Sequence, residues 1–116
     1  MLLTSYGKEI VESRGEPQER ILTCIVSLNE DVGEALPYVN AILGGLEYTR
    51  DPPSLRLKTA GKVIEIQSRT IFISNLDDEF QADRILEWLK KEINTAWKRR
   101  HHIKPRYEGL LQKNPG

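Results

Sequence analysis

A long amphipathic segment constrains the fold of this chain more than any other feature. Between Asn75 and Arg100, apolar residues recur at helical spacing, and this predicts a helix whose N-cap is Asn75 or Asp77. Acidic residues open the helix and basic residues close it, which is the order that the helix dipole favours. One long apolar stripe needs a sheet to pack against. Its residues are Ala82, Ile85, Leu86, Leu89, Ile93, Ala96 and Trp97.

Strand patterns supply that sheet. Residues 20–28 alternate with apolar side chains on both faces, which is typical of a central strand. Three further strands are predicted at 55–59, 62–67 and 70–76, and the short turns between them indicate an antiparallel meander. Residues 14–18 form a loop by their glycine and proline content.

A first helix is predicted between the central strand and the meander. Helical spacing begins at Val32, but Pro37 lacks an N–H group, so an irregular first turn is expected before regular helix from about Pro37. Gly44 and Gly45 end this helix. Residues 51–53 are expected to form an extended connection. Residues 1–12 allow an extra N-terminal strand.

The predicted fold class is therefore α+β, with an antiparallel sheet and two helices packed on one face. The expected order is β-α-β-β-β-α, with the extra N-terminal strand as an option. Because 116 residues bury enough surface for one core, residues 1–108 are expected to form a single domain and residues 109–116 a flexible tail.

Composition excludes several classes of function. Seventeen Lys and Arg residues balance seventeen Asp and Glu residues, so no global charge attracts nucleic acid or an anionic membrane. No apolar run approaches the roughly 20 residues needed to cross a bilayer, and no secretory signal is visible, so a cytoplasmic location is expected. Cys24 is the only cysteine, so no disulfide or cysteine-rich metal site is expected within one chain.

Two local groups of residues are candidate sites. Phe80, Arg84 and Trp88 share one row of the long helix, where they form either a partner surface or a patch covered by a terminal segment. A basic run follows, and it either contacts phosphates or balances the helix dipole. The candidate phosphate contacts are Lys98, Arg99, Arg100, Lys104 and Arg106.

The remaining chemically notable residues have structural explanations. Cys24 lies in the central strand, where a cysteine usually acts as a small hydrophobe. His101 and His102 are adjacent, so on a helix they point about 100° apart and do not face one metal ion. No catalytic triad, phosphate loop or metal-binding helix motif is present, so no catalytic or metal residue is assigned and the chain is not expected to be an enzyme.

From Arg20 to Arg100 the predicted element order resembles one repeat of the TATA-binding-protein fold. In that family, two such repeats form a saddle that inserts phenylalanine wedges into DNA. This chain has one repeat and only two phenylalanines, Phe72 and Phe80, so the resemblance implies the fold and not DNA bending.

A second resemblance covers most of the chain. Residues 36–41, 51–54 and 85–90, read as LPYVNA, DPPS and ILEWLK, resemble the N-terminal domain of the iron–sulfur proteins of anaerobic bacteria. A spaced set of residues adds to this resemblance: Trp97, Arg100, Ile103, Pro105 and Tyr107. In that family a four-cysteine segment follows the domain and binds a [4Fe-4S] cluster.

The four-cysteine segment is absent from these 116 residues. The chain is either a piece of a longer cluster-binding protein or a family member without the cluster, and no cofactor is expected in the chain itself. The resemblance implies a non-catalytic accessory or protein-interaction module of anaerobic metabolism, with a protein partner or a second copy as its ligand. A nucleic-acid-binding domain that uses residues 98–106 is the alternative. An enzyme subunit completed by another chain is a third possibility.

Overall fold

The architecture is a sheet with helices on one side. The computed structural model describes residues 3–14 and 20–109, and these residues contain six strands and two α-helices. The strands are β1 (Tyr6–Arg14), β2 (Arg20–Leu28), β3 (Glu47–Arg50), β4 (Pro53–Thr59), β5 (Lys62–Gln67) and β6 (Thr70–Leu76). The helices are α1 (Leu36–Leu43) and α2 (Glu79–Lys98), with 3-10 turns at Gly33–Ala35 and Arg100–His102. The strand order is β1-β2-β6-β5-β4-β3, and every neighbouring pair is antiparallel.

The core lies between the two helices and one face of the sheet. In β2, Leu22, Cys24, Val26 and Leu28 are buried, while the residues between them are not. The same alternation in β4, β5 and β6 buries Leu55, Leu57, Ile64, Ile66, Ile71 and Ile73. The α+β class, the antiparallel sheet and the two helices predicted from the sequence are therefore confirmed.

Helix α2 buries the predicted stripe. Ala82, Ile85, Leu86, Leu89, Ile93 and Ala96 are buried, and Trp97 packs partly against the core. The predicted N-cap is wrong. Asp78 caps the helix, accepting a hydrogen bond from the Gln81 backbone N–H at 2.9 Å, while the Gln81 side chain accepts one from the Asp77 N–H at 2.8 Å. These reciprocal bonds satisfy exposed donors at the helix start.

Strand β3 was not predicted. The prolines at 52 and 53 favour a connection, but Arg50 pairs with Pro53, so the two residues between them form the turn of a hairpin. Pro53 is tolerated as the first residue of β4, since a proline there costs no internal ladder hydrogen bond. The sheet therefore has one more strand than the predicted order β-α-β-β-β-α with its optional N-terminal strand, which is present as β1.

Helix α1 begins and ends as the sequence predicts. A 3-10 turn precedes α1, Pro37 lies in the first turn of the helix, and Gly44 ends the helix with a left-handed φ of 66°, as predicted.

The N-terminal segment is hydrogen-bonded to α2. Before β1, the Asn94 side chain accepts from the Leu3 N–H at 2.7 Å and donates to the Leu3 carbonyl at 2.9 Å. These two bonds hold the buried Leu3 against α2.

Some predicted features lie outside the described residues. The loop predicted at 14–18 is described only at Arg14, and the tail predicted at 109–116 only at Gly109. Within residues 3–14 and 20–109, no helix is long and apolar enough to cross a membrane.

Candidate interaction surfaces

The face of the sheet opposite the helices is not covered by any element of residues 3–14 and 20–109, and we call it the open face. The antiparallel register aligns one residue from each strand in a row across it. This row runs Glu9, Ile25, Phe72, Glu65, Arg56, Glu47. None of these side chains is buried, and within residues 3–14 and 20–109 both helices lie on the other side.

The open face has an apolar patch with charged residues on either side. Ile25 and Phe72 are cross-strand partners on β2 and β6, the second and third strands of the row. Val11 and Val63 lie in neighbouring positions, next to Thr23 and Lys58 respectively. Towards β3 the surface is charged, and Arg56 lies 3.5 Å from Glu47. An apolar patch bordered by charged residues is the anatomy of a protein interface.

A second surface is a cleft on the helix side of the sheet, which we call the aromatic cleft. Its volume is about 860 Å³, within the range of roughly 300–1,000 Å³ typical of ligand sites. The cleft lies where the ends of α1, α2 and β3 meet the C-terminal segment. Its rings belong to Pro37, Tyr38, Tyr48, Pro53, Trp97 and Tyr107.

Two arginines hold the aromatic rings in place. The guanidinium of Arg100 lies 3.9 Å from the centre of the Trp97 ring and donates to the Trp97 carbonyl at 2.7 Å. Arg50 lies 4.9 Å from the Tyr107 ring, which in turn packs edge-on against Tyr48 with 6.1 Å between ring centres. Such stacking stabilises each pair and fixes the orientation of its ring.

The aromatic side chains that line the cleft also carry hydrogen-bonding groups. The hydroxyls of Tyr38, Tyr48 and Tyr107 and the Trp97 indole N–H have no partner within the described part of the chain. Because no buried side-chain polar atom there lacks a partner, these groups reach solvent. Burial raises the pKa of Tyr48 above its ordinary value, so its hydroxyl keeps its proton at neutral pH.

Two carboxylates line the aromatic cleft. Asp31 and Glu34 are exposed there, and neither has an ion-pair partner among residues 3–14 and 20–109. Asp31 accepts a hydrogen bond from the Gly33 N–H at 2.8 Å. Gly33 is tightly enclosed, since a β-carbon on it would lie 2.9 Å from the Ser68 hydroxyl and 3.3 Å from the Pro53 ring.

Asn40 fastens the C-terminal segment beside the aromatic cleft. Its side chain is fully buried and accepts from the Gly45 N–H at 2.9 Å. The same amide donates to the carbonyls of Arg106 and Glu108, each at 2.9 Å. The Arg106 N–H donates to the Pro37 carbonyl at 3.0 Å. Tyr107 is held between these anchors, so its ring forms one wall of the cleft.

The predicted partner row on α2 is not a continuous apolar patch. Phe80 is 73% exposed and Arg84 is exposed, but Trp88 packs partly against the core. Phe80 instead borders a smaller cleft beside the α2 N-terminus, among charged side chains that include Lys8 and Asp83, which form an ion pair.

The predicted phosphate contacts differ in exposure and in the partners they have within the chain. Lys98, Arg99 and Lys104 are exposed. Arg100 is stacked on Trp97, and Arg106 lies 3.9 Å from the Glu108 carboxylate. Two of the five side chains are therefore engaged within the chain.

The residues of this chain do not fit an iron–sulfur cluster. Cys24 is fully buried in β2, where burial raises the pKa of its thiol and disfavours the thiolate that binds metals. One cysteine cannot replace the four that such a cluster requires. His101 and His102 are exposed, and no three His, Cys, Asp or Glu side chains gather into a metal site within the described residues.

No protein-family model, curated protein or solved structure matches this chain.

Sequence reasoning missed the aromatic cleft, although part of its signal was present. Tyr38, Trp97 and Tyr107 belong to the motifs behind the iron–sulfur resemblance, as do Pro37, Pro53 and Arg100, and all six line the cleft. Their spacing gives no hint of this, because the residues lie on separate elements. Tyr48 lies in β3, the strand that the sequence did not predict.

Proposed function

We propose that this chain is a non-catalytic protein-interaction module that binds a partner protein on the open face. Its setting would be that of the iron–sulfur proteins of anaerobic metabolism that it resembles, and the module itself would not bind the cluster. The observation that carries this proposal is the partly exposed pair Ile25 and Phe72 on adjacent strands of the six-stranded sheet, on the face that neither helix covers.

Energetics support a protein on this face. The helix side of the sheet buries its apolar residues, whereas Val11, Ile25, Val63 and Phe72 on the open face stay in contact with water. Covering apolar surface gains roughly 25 cal/mol per Å², so a partner that seats on this patch is stabilised by it. The flanking Glu65, Arg56 and Glu47 supply charges of both signs that would fix the orientation of that partner.

The nucleic-acid alternative has less support from the geometry. Of the five basic side chains, only Lys98, Arg99 and Lys104 are exposed and lack an ion-pair or stacking partner within the described residues. Acidic Asp83 and Glu87 lie on the same helix. Since non-specific DNA affinity comes from many neutralised phosphates, three exposed cations provide little of it.

Size-exclusion chromatography of an extract from the protein's own cells tests the proposal. We expect the wild-type chain to elute from a gentle extract in an assembly larger than its own 13.3 kDa. The variant Phe72→Lys should elute as a free chain, because a buried lysine without a partner disfavours the interface. Thermal unfolding of the purified variant checks that its fold is intact.

A matched variant separates the two functions. If nucleic acid holds the assembly together, Lys98→Ala/Arg99→Ala and nuclease treatment should release the chain, whereas Phe72→Lys should not. That pattern, or a free wild-type chain, contradicts the proposed function.

A further inference from the structure

We propose that the aromatic cleft binds a proline-rich, extended peptide that carries a basic residue at one end. This site lies on the helix side of the sheet and is distinct from the open face, so it goes beyond the function proposed above.

The ring content of the aromatic cleft is the first argument. Three tyrosines, one tryptophan and two prolines line it. Proline-rich segments dock into grooves lined by aromatic rings, because the flat rings pack against pyrrolidine rings and the extended peptide is already ordered before it binds. The stacked Arg100 and Arg50 hold two of these rings, so the site requires little ordering when a ligand arrives.

Hydrogen-bond complementarity is the second argument. Tyr38, Tyr48, Tyr107 and Trp97 line the cleft, and their hydroxyls and indole N–H have no partners in the described part of the chain, so these groups are free to donate to a ligand. A proline-rich backbone is rich in carbonyl acceptors and poor in N–H donors, since proline has no N–H and the extended helix makes no internal hydrogen bonds. A ligand of this kind matches a cleft that offers donors.

Charge gives the third argument and sets the preferred sequence. Asp31 and Glu34 line the cleft without an ion-pair partner among the described residues, and Arg100, which lies against the Trp97 ring, is the one cation in the same lining, so the described lining has a net negative charge. An arginine or lysine in the peptide would satisfy these carboxylates through charge-assisted hydrogen bonds. An acidic peptide would be repelled.

Fluorescence anisotropy with the full chain tests the proposal. The probe is a labelled peptide of eight prolines with one terminal arginine. One comparison peptide replaces the prolines with glycine and serine, and another replaces the arginine with glutamate. We expect the proline–arginine peptide to bind at least about tenfold more tightly than either comparison peptide. One comparison peptide lacks the proline–ring contacts and the other lacks the arginine–carboxylate contacts, and each loss should lower the affinity by about tenfold.

Variants locate the site. Glu34→Lys and Tyr38→Phe should each weaken binding of the proline–arginine peptide, the first by about tenfold or more and the second by severalfold. Ile42→Ala is the matched control, because Ile42 is exposed on the same helix but does not line the cleft. Phe72→Lys should also leave peptide binding unchanged, so this inference and the proposed function fail separately.

Two results would overturn the inference. One is equal affinity for the proline and the glycine–serine peptides. The other is binding that Glu34→Lys and Tyr38→Phe leave intact, or that Phe72→Lys removes. Tyr38→Phe keeps the ring and the volume, so a loss of binding in that variant reports on the hydroxyl and not on misfolding.

Discussion

Replacing Leu89 with alanine should destabilise the fold by roughly 2–5 kcal/mol. Leu89 is fully buried near the middle of α2, where the helix packs on the sheet, and its loss leaves a cavity that the surrounding strands cannot fill. Denaturant titration followed by circular dichroism measures this change in the free energy of unfolding.

The control for Leu89→Ala lies two residues further along α2. Lys91 is exposed, so Lys91→Ala should change stability by no more than about 0.5 kcal/mol. Glu87 also lies on the outer side of α2, but it accepts a hydrogen bond from the Tyr6 hydroxyl at 2.9 Å and is therefore a poorer control. Equal effects of Leu89→Ala and Lys91→Ala would show that the helix does not pack in this orientation.

Replacing Asn40 with leucine should cost roughly 2–4 kcal/mol and release the C-terminal segment. The substitution leaves the buried Gly45 N–H without its partner, which costs about 1–3 kcal/mol. It also removes the part-buried bonds to the carbonyls of Arg106 and Glu108, which cost less because these carbonyls reach water once the segment is released. The released segment carries Tyr107, so the aromatic cleft should lose one wall. Amide hydrogen exchange at Arg106, whose N–H is bonded to Pro37, reports the release directly.

Asn40→Asp distinguishes the two roles of this side chain. The aspartate still accepts from the Gly45 N–H, but it has no N–H groups to donate to the two carbonyls. We expect hydrogen exchange at Arg106 to rise as in Asn40→Leu, while the end of α1 stays protected. If exchange at Arg106 is unchanged in both variants, Asn40 does not anchor the segment.

The sequence predicted those helices and strands whose buried residues recur at a regular spacing. The stripe on α2 and the alternation in β2 were readable because each buried residue recurs at the period of its own element. The turn between β4 and β5 could be predicted because Gly61 readily takes the positive φ that a tight hairpin requires, and its φ is 75°. Ala60 also has a positive φ, 50°, which its residue type does not indicate.

Long-range features were not readable in the same way. β3 has only four residues and forms because it pairs with β4. This pairing outweighs the extended connection that the prolines favour. Asn40 looks like an ordinary polar residue near the end of a helix, and its importance comes from a segment more than sixty residues away. The aromatic cleft likewise gathers side chains from separate elements, which no local spacing encodes.

Photo-crosslinking from the open face tests the central claim most directly. A photoreactive phenylalanine derivative placed at Phe72 in the native cells should crosslink to a protein, either a distinct partner or a second copy of the chain. The same derivative at Lys91 should give no comparable product, since that position faces solvent on the far side of α2. An absence of protein adducts at Phe72, or adducts that nuclease removes, would contradict the account.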